Sequence, residues 1–148
     1  MLLDLRKLKR TGKDYSDFYF EYEPTEDLIG DLPGCKLVLP IKVFGSVSLT
    51  GDHSAYVEGE ITFGVNGECT RCLKETTNSY GADFAEQVDE DNDAGYMVKN
   101  DVVDLTKIVN DAVLMNIPVS FLCDENCKGI CSGCGTNLND AQCKCKKQ

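Results

Sequence analysis

Eight of the nine cysteines fall into two groups: Cys69 and Cys72 in ECTRCL, then Cys123, Cys127, Cys131, Cys134, Cys143 and Cys145 toward the C-terminal end. Cysteines in close pairs suit zinc, which takes four thiolates at tetrahedral geometry. A C-x2-C knuckle followed by a second close pair supplies them without a large fold around the ion. The stretch CSGCGTNLNDAQCKC, residues 131–145, has that form. Six tail cysteines cannot fill two sites of four, but with Cys69 and Cys72 they can. The preferred partition gives one zinc to Cys131, Cys134, Cys143 and Cys145 and a second to Cys69, Cys72, Cys123 and Cys127, which would staple the tail to the element carrying CTRC. A single tail zinc beside a reduced CTRC pair is the other partition. Gly133, Gly135 and Asn137 suit tight turns that aim backbone N–H groups at sulfur. Cys35, alone in PGCK, is expected to be a free thiol.

Disulfides are the rival use of so many cysteines, and they need an oxidising compartment. The opening MLLDLRKLKRTGKDY interrupts its leucines with Asp4, Arg6 and Lys7, leaving no apolar core of signal-peptide length. No later stretch approaches the roughly 20 apolar residues of a membrane span. A cytoplasmic, reducing location is therefore expected. Redox chemistry at CTRC is the second functional reading. Thioredoxin-type activation, however, places its C-x-x-C at the start of a helix after a strand, and the surroundings here are β-rich. His53, the single histidine, falls in a turn with no assigned nucleophile, and no phosphate-cradling glycine loop is present. A non-enzyme without a small-molecule substrate is the expectation.

These cysteines need elements to position them. SDFYFEYE alternates Phe18, Phe20 and Tyr22 with other residues, the period of a half-buried strand. Residues 37–44, LVLPIKVF, form a second strand that Pro40 marks as an edge or a bulge. A shorter strand follows around Val47, then a turn at TGDHS. The clearest strand is Tyr56 to Val65, with Val57, Gly59, Ile61, Phe63 and Val65 on one face. CTRC then occupies the turn before a returning strand, Leu73 to Phe84. Residues 86–95, EQVDEDNDAG, read as a mobile acidic loop whose carboxylate order does not match a calcium loop. The one convincing helix spans about 104–116, with Asp104 as N-cap, an apolar stripe of Leu105, Ile108, Val109, Ala112, Val113 and Met115, and Pro118 after it. Together these predict an α+β fold: an antiparallel β-sheet or partly open small barrel with one main packing helix and a cysteine-rich zinc-binding C-terminal tail. The boundaries are 1–122 for the β-rich core and 123–148 for the cysteine module packed on it.

The formal charge of −10 makes a naked polyanion a poor partner for the molecule as a whole. Local basic patches are the exception. Residues 1–13 hold Arg6, Lys7, Lys9, Arg10 and Lys13, and the chain closes with Lys144, Lys146 and Lys147. The plain reading of both is solubilising charge on an edge strand and a tail. The sharper one places phosphate-directed RNA contacts at Arg6, Lys7, Lys9 and Arg10, with Arg71 and Lys74 beside the knuckle.

ECTRCL, then VDLTKIVNDAVLMNIPVSFLC, then CKGICSGCGTNLNDAQCKC, in that order, resemble the YceD family of large ribosomal RNA subunit accumulation proteins. The tail motif is the most specific part, and Ile130 and Ser132 stand where that motif often has leucine and proline. The resemblance implies a noncatalytic ribosome-biogenesis factor supporting synthesis or accumulation of large-subunit ribosomal RNA. Its implied partners are that RNA, its precursor, or a basic ribosomal protein, and no catalytic residues carry over.

Overall fold

The computed structural model describes every residue except 26, 31, 33, 92–94 and 146–148. Alternation of apolar and polar side chains builds its largest element. Strands β2 (Tyr15–Tyr22), β3 (Lys36–Gly51), β4 (Ser54–Glu68) and β5 (Glu75–Val88) pair antiparallel in the order β2-β3-β4-β5. Their inward residues, among them Val43, Val47, Val57, Ile61, Phe63 and Phe84, are buried, and the residues between them face outward. Three further strands, β1 (Leu2–Asp4), β6 (Val98–Lys99) and β7 (Val102–Asp104), form a second antiparallel sheet in the order β1-β7-β6. Both sheets are open, so the sheet alternative describes the fold and the barrel does not.

Several strand boundaries differ from expectation for identifiable reasons. The strands anticipated at 37–44 and around Val47 are one continuous β3. Gly45 sits opposite Gly59 where the two backbones nearly touch: a Cβ on Gly45 would lie 2.1 Å from the Glu58 carbonyl oxygen. Glycine is there for the close approach. At Pro40 the expectation holds, with the β3–β4 register shifting between Val38 and Lys42. The returning strand runs to Val88, so the first part of the anticipated acidic loop is strand, and Asp89 bridges to Met97. Residues 92–94 of that loop lie outside the described residues. His53 occupies the turn between β3 and β4, with Nδ1 3.4 Å from Glu90.

The N-terminal segment begins as an edge strand, β1, but its basic residues do not lie on it. After β1 it coils into α1 (Arg6–Thr11), which buries Leu8 and ends at Gly12 with φ 65°. Strands β1, β6 and β7 escape sequence patterning because two or three residues cannot display an alternation.

Helix α2 (Thr106–Asn116) packs against β5 and β4. It buries Ile108, Val109, Ala112 and Val113, with Leu105 just ahead of it. Met115 does not share that face and is 84% exposed. Asp104 is the last residue of β7 rather than the N-cap. Its carboxylate still accepts the Thr106 N–H at 2.9 Å and the Thr106 hydroxyl at 2.6 Å, relieving one of the unpaired donors at the helix start. Ile117 is extended, as the residue before Pro118 prefers to be, and the chain passes through the buried Phe121 to Cys123. No helix among the described residues is long and apolar enough to cross a membrane.

Candidate metal centres

The two C-x2-C segments fold into the same turn. At CTRC the Cys69 N–H donates to the Lys74 carbonyl and the Leu73 N–H to the Cys69 carbonyl, both at 2.9 Å. At CSGC the Cys131 N–H donates to the Thr136 carbonyl at 2.9 Å and the Gly135 N–H to the Cys131 carbonyl at 2.8 Å. In each, the residue after the second cysteine takes a left-handed conformation, Leu73 at φ 60° and Gly135 at φ 69°. That conformation is natural for glycine and costs leucine about 1–2 kcal/mol, so the turn at CTRC is held by its surroundings. Leu73 is 60% exposed. The first knuckle lies in the β4–β5 connection and the second in the tail.

Eight thiols converge on two points. Cys69, Cys72, Cys123 and Cys127 form an inner group and Cys131, Cys134, Cys143 and Cys145 an outer one, with all sulfurs of a group within 4.8 Å of one another. Inner separations include 3.7 Å for Cys69–Cys127 and 3.5 Å for Cys72–Cys123. Outer ones include 3.2 Å for Cys131–Cys143, 3.8 Å for Cys134–Cys143 and 3.9 Å for Cys131–Cys145. A metal at the usual zinc–sulfur length of about 2.3 Å holds tetrahedral sulfurs about 3.8 Å apart, whereas a disulfide needs about 2.05 Å. Each group could therefore hold a metal ion. Their surroundings differ: Cys69, Cys72 and Cys127 are buried, whereas Cys134, Cys143 and Cys145 are exposed.

The electrostatics of each group favour a cation. Burial opposes ionisation of Cys69, yet backbone hydrogen bonds from Cys123, Cys72 and Arg71 bring the thiol down to about 6. Its neighbour Cys123 is pushed up to about 12, first by sharing a proton with Cys72 and then by burial. In the outer group the Thr136 hydroxyl and backbone N–H draw Cys134 down to about 5, and Cys143 holds Cys145 up at about 12. Adjacent thiolates repel, so some thiols in each group stay protonated. A divalent ion at the centre removes that conflict and releases the protons.

The tail is fastened beside the inner group. The Phe121 carbonyl accepts the Thr70 N–H at 2.9 Å and the Leu122 carbonyl accepts Asn78 Nδ2 at 2.7 Å. Arg71 Nη1 donates to the Cys127 carbonyl at 3.1 Å, and the Ile130 N–H donates back to the Arg71 carbonyl at 3.1 Å. Asn139 links the two groups: its Oδ1 accepts the Lys128 N–H at 2.8 Å while its Nδ2 lies 3.3 Å from the Cys127 sulfur. Gly129, at φ 75°, lets the chain pass the Arg71 carbonyl, which a Cβ would approach to 3.1 Å. Reasoning from cysteine spacing did not single out Asn139, Thr136 or Gly129. Their signal is weak, an asparagine, a threonine and a glycine within a few residues of cysteines.

Of the candidate RNA contacts, Arg6, Lys7, Lys9 and Arg10 line one pocket together with Asp4 and Asp101, and several are already engaged. Arg6 forms two bonds to Asp4, at 2.9 and 2.8 Å. Lys9 pairs with Asp101 at 2.5 Å and also donates to the Asp52 carbonyl. Arg71 faces the tail carbonyls. Lys7, Arg10 and Lys74 are exposed and have no ion pair among the described residues. Lys146 and Lys147 lie outside the described residues. Cys35 is a free thiol, half-buried, and burial raises its pKa.

A family model, described as large ribosomal RNA subunit accumulation protein YceD, matches residues 57–148. The matched stretch contains both cysteine groups. The chain is 39% identical over 46 residues to the large ribosomal RNA subunit accumulation protein YCED homolog 1, chloroplastic, of Arabidopsis thaliana, covering 31% of this chain and 14% of that protein. To the protein of the same name from Zea mays it is 32% identical over 65 residues, 43% of this chain and 22% of that protein. The chain thus spans less than a quarter of the length of either plant relative. An uncharacterized protein of Mycobacterium bovis is 28% identical over 152 residues, covering 93% of this chain and 70% of its own length. No solved structure matches. With its knuckle, helix and cysteine tail inside the matched segment, the chain belongs to the YceD family.

Proposed function

We propose that this protein supports the accumulation of large-subunit ribosomal RNA as a noncatalytic assembly factor in the cytoplasm, working through binding. In this reading two zinc ions, one on each thiol group, lock the tail against the sheet. The observation that carries the structural part is the meeting of Cys69 and Cys72, in a strand connection, with Cys123 and Cys127 from the tail. That contact spans more than 50 residues of chain and is what a metal staple requires. The family description supports the ribosomal part.

Binding is favoured over catalysis by how the reactive groups are used. Eight cysteines are gathered in two sets of four, and His53 faces the carboxylates of Glu90 and Asp101 rather than a nucleophile. The partner is large-subunit ribosomal RNA, its precursor, or a basic protein of that subunit.

Redox chemistry is the second reading, and one observation favours it: three of the four outer thiols are exposed. The CTRC pair is the poorer redox couple, because both of its thiols are buried.

The test is paired. Native mass spectrometry of protein purified under reducing conditions should find two zinc ions per chain, and cells lacking the protein should have a lowered ratio of large- to small-subunit ribosomal RNA, restored by the wild-type chain. An unchanged ratio would sink the ribosomal reading. Absent metal together with thiol–disulfide exchange activity would replace it with the redox one.

A further inference from the structure

The outward face of the four-stranded sheet is uncovered, and its composition is unusual for bare surface. Cross-strand pairing places Tyr19, Phe44, Glu60 and Asp83 in one row across all four strands. Asp17 and Glu58 belong to the adjacent row. Tyr19 is 55% and Phe44 41% exposed, two large rings in register on neighbouring strands of an open face. A groove of about 430 Å³ runs between the two rows beside the Gly45–Gly59 contact. None of the four carboxylates has an ion-pair partner among the described residues.

We propose that this face docks an extended, arginine- or lysine-rich segment of a basic protein. The inference rests on the assembly-factor reading and names its partner class. Charge complementarity selects the occupant: four unpaired carboxylates around two exposed rings attract cationic side chains and repel phosphates. Exposed aromatic rings also stack under guanidinium groups. Geometry agrees, since an extended chain repeats its same-face side chains about every 6.8 Å, the spacing at which Glu58 and Glu60 stand on β4. A nucleic acid stacking on Tyr19 and Phe44 would set its backbone against these carboxylates.

The test uses the full chain and a fluorescein-labelled 12-residue peptide of alternating arginine and serine, read by fluorescence anisotropy at fixed moderate salt. Saturable binding is expected. The triple variant Glu58→Gln, Glu60→Gln, Asp83→Asn should lose about tenfold in affinity, as three exposed charge contacts would give, and Phe44→Ala about threefold. A control triple outside these rows, Asp14→Asn, Glu125→Gln and Asp140→Asn, should change it less than twofold. No saturable binding, equal losses in the two triples, or displacement of the peptide by a single-stranded RNA 20-mer bound at this face would overturn the proposal. The face variant is also scored for restoring the ribosomal RNA ratio. Restoration despite lost peptide binding would separate the surface from the cellular role. Failure of the peptide arm alone, with the knockout phenotype intact, would remove the docking surface and leave the assembly-factor reading standing.

Discussion

Cys72→Ser isolates the metal's part in holding the tail. The nine residues from 123 to 131 connect the two thiol groups, and ordering them costs at least about 9 kcal/mol of backbone entropy. The hydrogen bonds of Phe121 and Leu122 precede this stretch. Within it, three bonds reach the knuckle, Arg71 Nη1 to the Glu125 and Cys127 carbonyls and the Ile130 N–H to the Arg71 carbonyl. At about 1 kcal/mol each they are far too weak to hold it. A structural zinc site contributes about 10–16 kcal/mol and can. The variant should therefore carry one zinc by native mass spectrometry and lose amide-exchange protection across 123–131. It should also become open to trypsin at Lys128, while the sheet stays protected. Cys143→Ser should likewise lose one zinc but leave the inner staple intact, so 123–131 remains protected. If Cys72→Ser loses its zinc and the tail stays as protected as in the wild type, packing rather than metal holds the tail, and the staple argument fails.

Metal release should be biphasic. With a chelating dye in excess, the exposed outer site should empty before the buried inner one, and Cys143→Ser should abolish the fast phase. Gly59→Ala should destabilise the sheet by about 1–3 kcal/mol, since the new methyl would lie 2.4 Å from the Phe44 carbonyl oxygen and 2.8 Å from the Phe84 ring. Thermal denaturation of zinc-loaded protein measures this, and an unchanged midpoint would mean that the strands can part there at little cost. Asp111 is a pH probe: the Lys107 ammonium at 2.6 Å, opposed by burial and helped by the Tyr96 hydroxyl at 2.9 Å, lowers its pKa below the ordinary 3.8. Its contribution is thus fully present above the unfolded-state value and lost as pH falls through the lower folded-state value. After discount for solvent screening of a pair in which Asp111 is 35% and Lys107 55% exposed, it is worth about 0.5 kcal/mol. The stability difference between wild type and Asp111→Asn should be constant near neutrality and shrink only below about pH 4.

Much of the site was legible because metal ligation is local chemistry with a short reach. Residues 131–145 carry four cysteines within one loop, and glycine and asparagine between them close the turns. The long strands were legible for the same kind of reason, since Val57, Ile61, Phe63 and Val65 repeat with the period of a pleat and are buried together. Short β1, β6 and β7 were not, because too few residues carry a period. Met115 was misplaced on the buried stripe because it lies only two residues beyond Val113 on α2, where positions two apart do not share a face.

The charged residues show the limit most clearly. From the sequence Arg6, Lys9 and Arg71 are interchangeable cations near a candidate site. In the fold, Asp4 occupies Arg6 from two residues away, whereas Asp101 and the Cys127 carbonyl come within reach of Lys9 and Arg71 only once α1 and the tail are in place.

By itself, the sequence determined that this is a β-rich chain with one amphipathic helix and thiols in numbers suited to two tetrahedral ions, since residue type and spacing set those properties over a few residues at a time. Tertiary structure decided between the two partitions of the thiols by bringing CTRC to Cys123 and Cys127, and it alone decided that Gly45 and Gly59 touch and that one sheet face stays bare and acidic. Each of these depends on where strands far apart in the chain come to lie, and pairing register is a property of the assembled sheet rather than of any one segment.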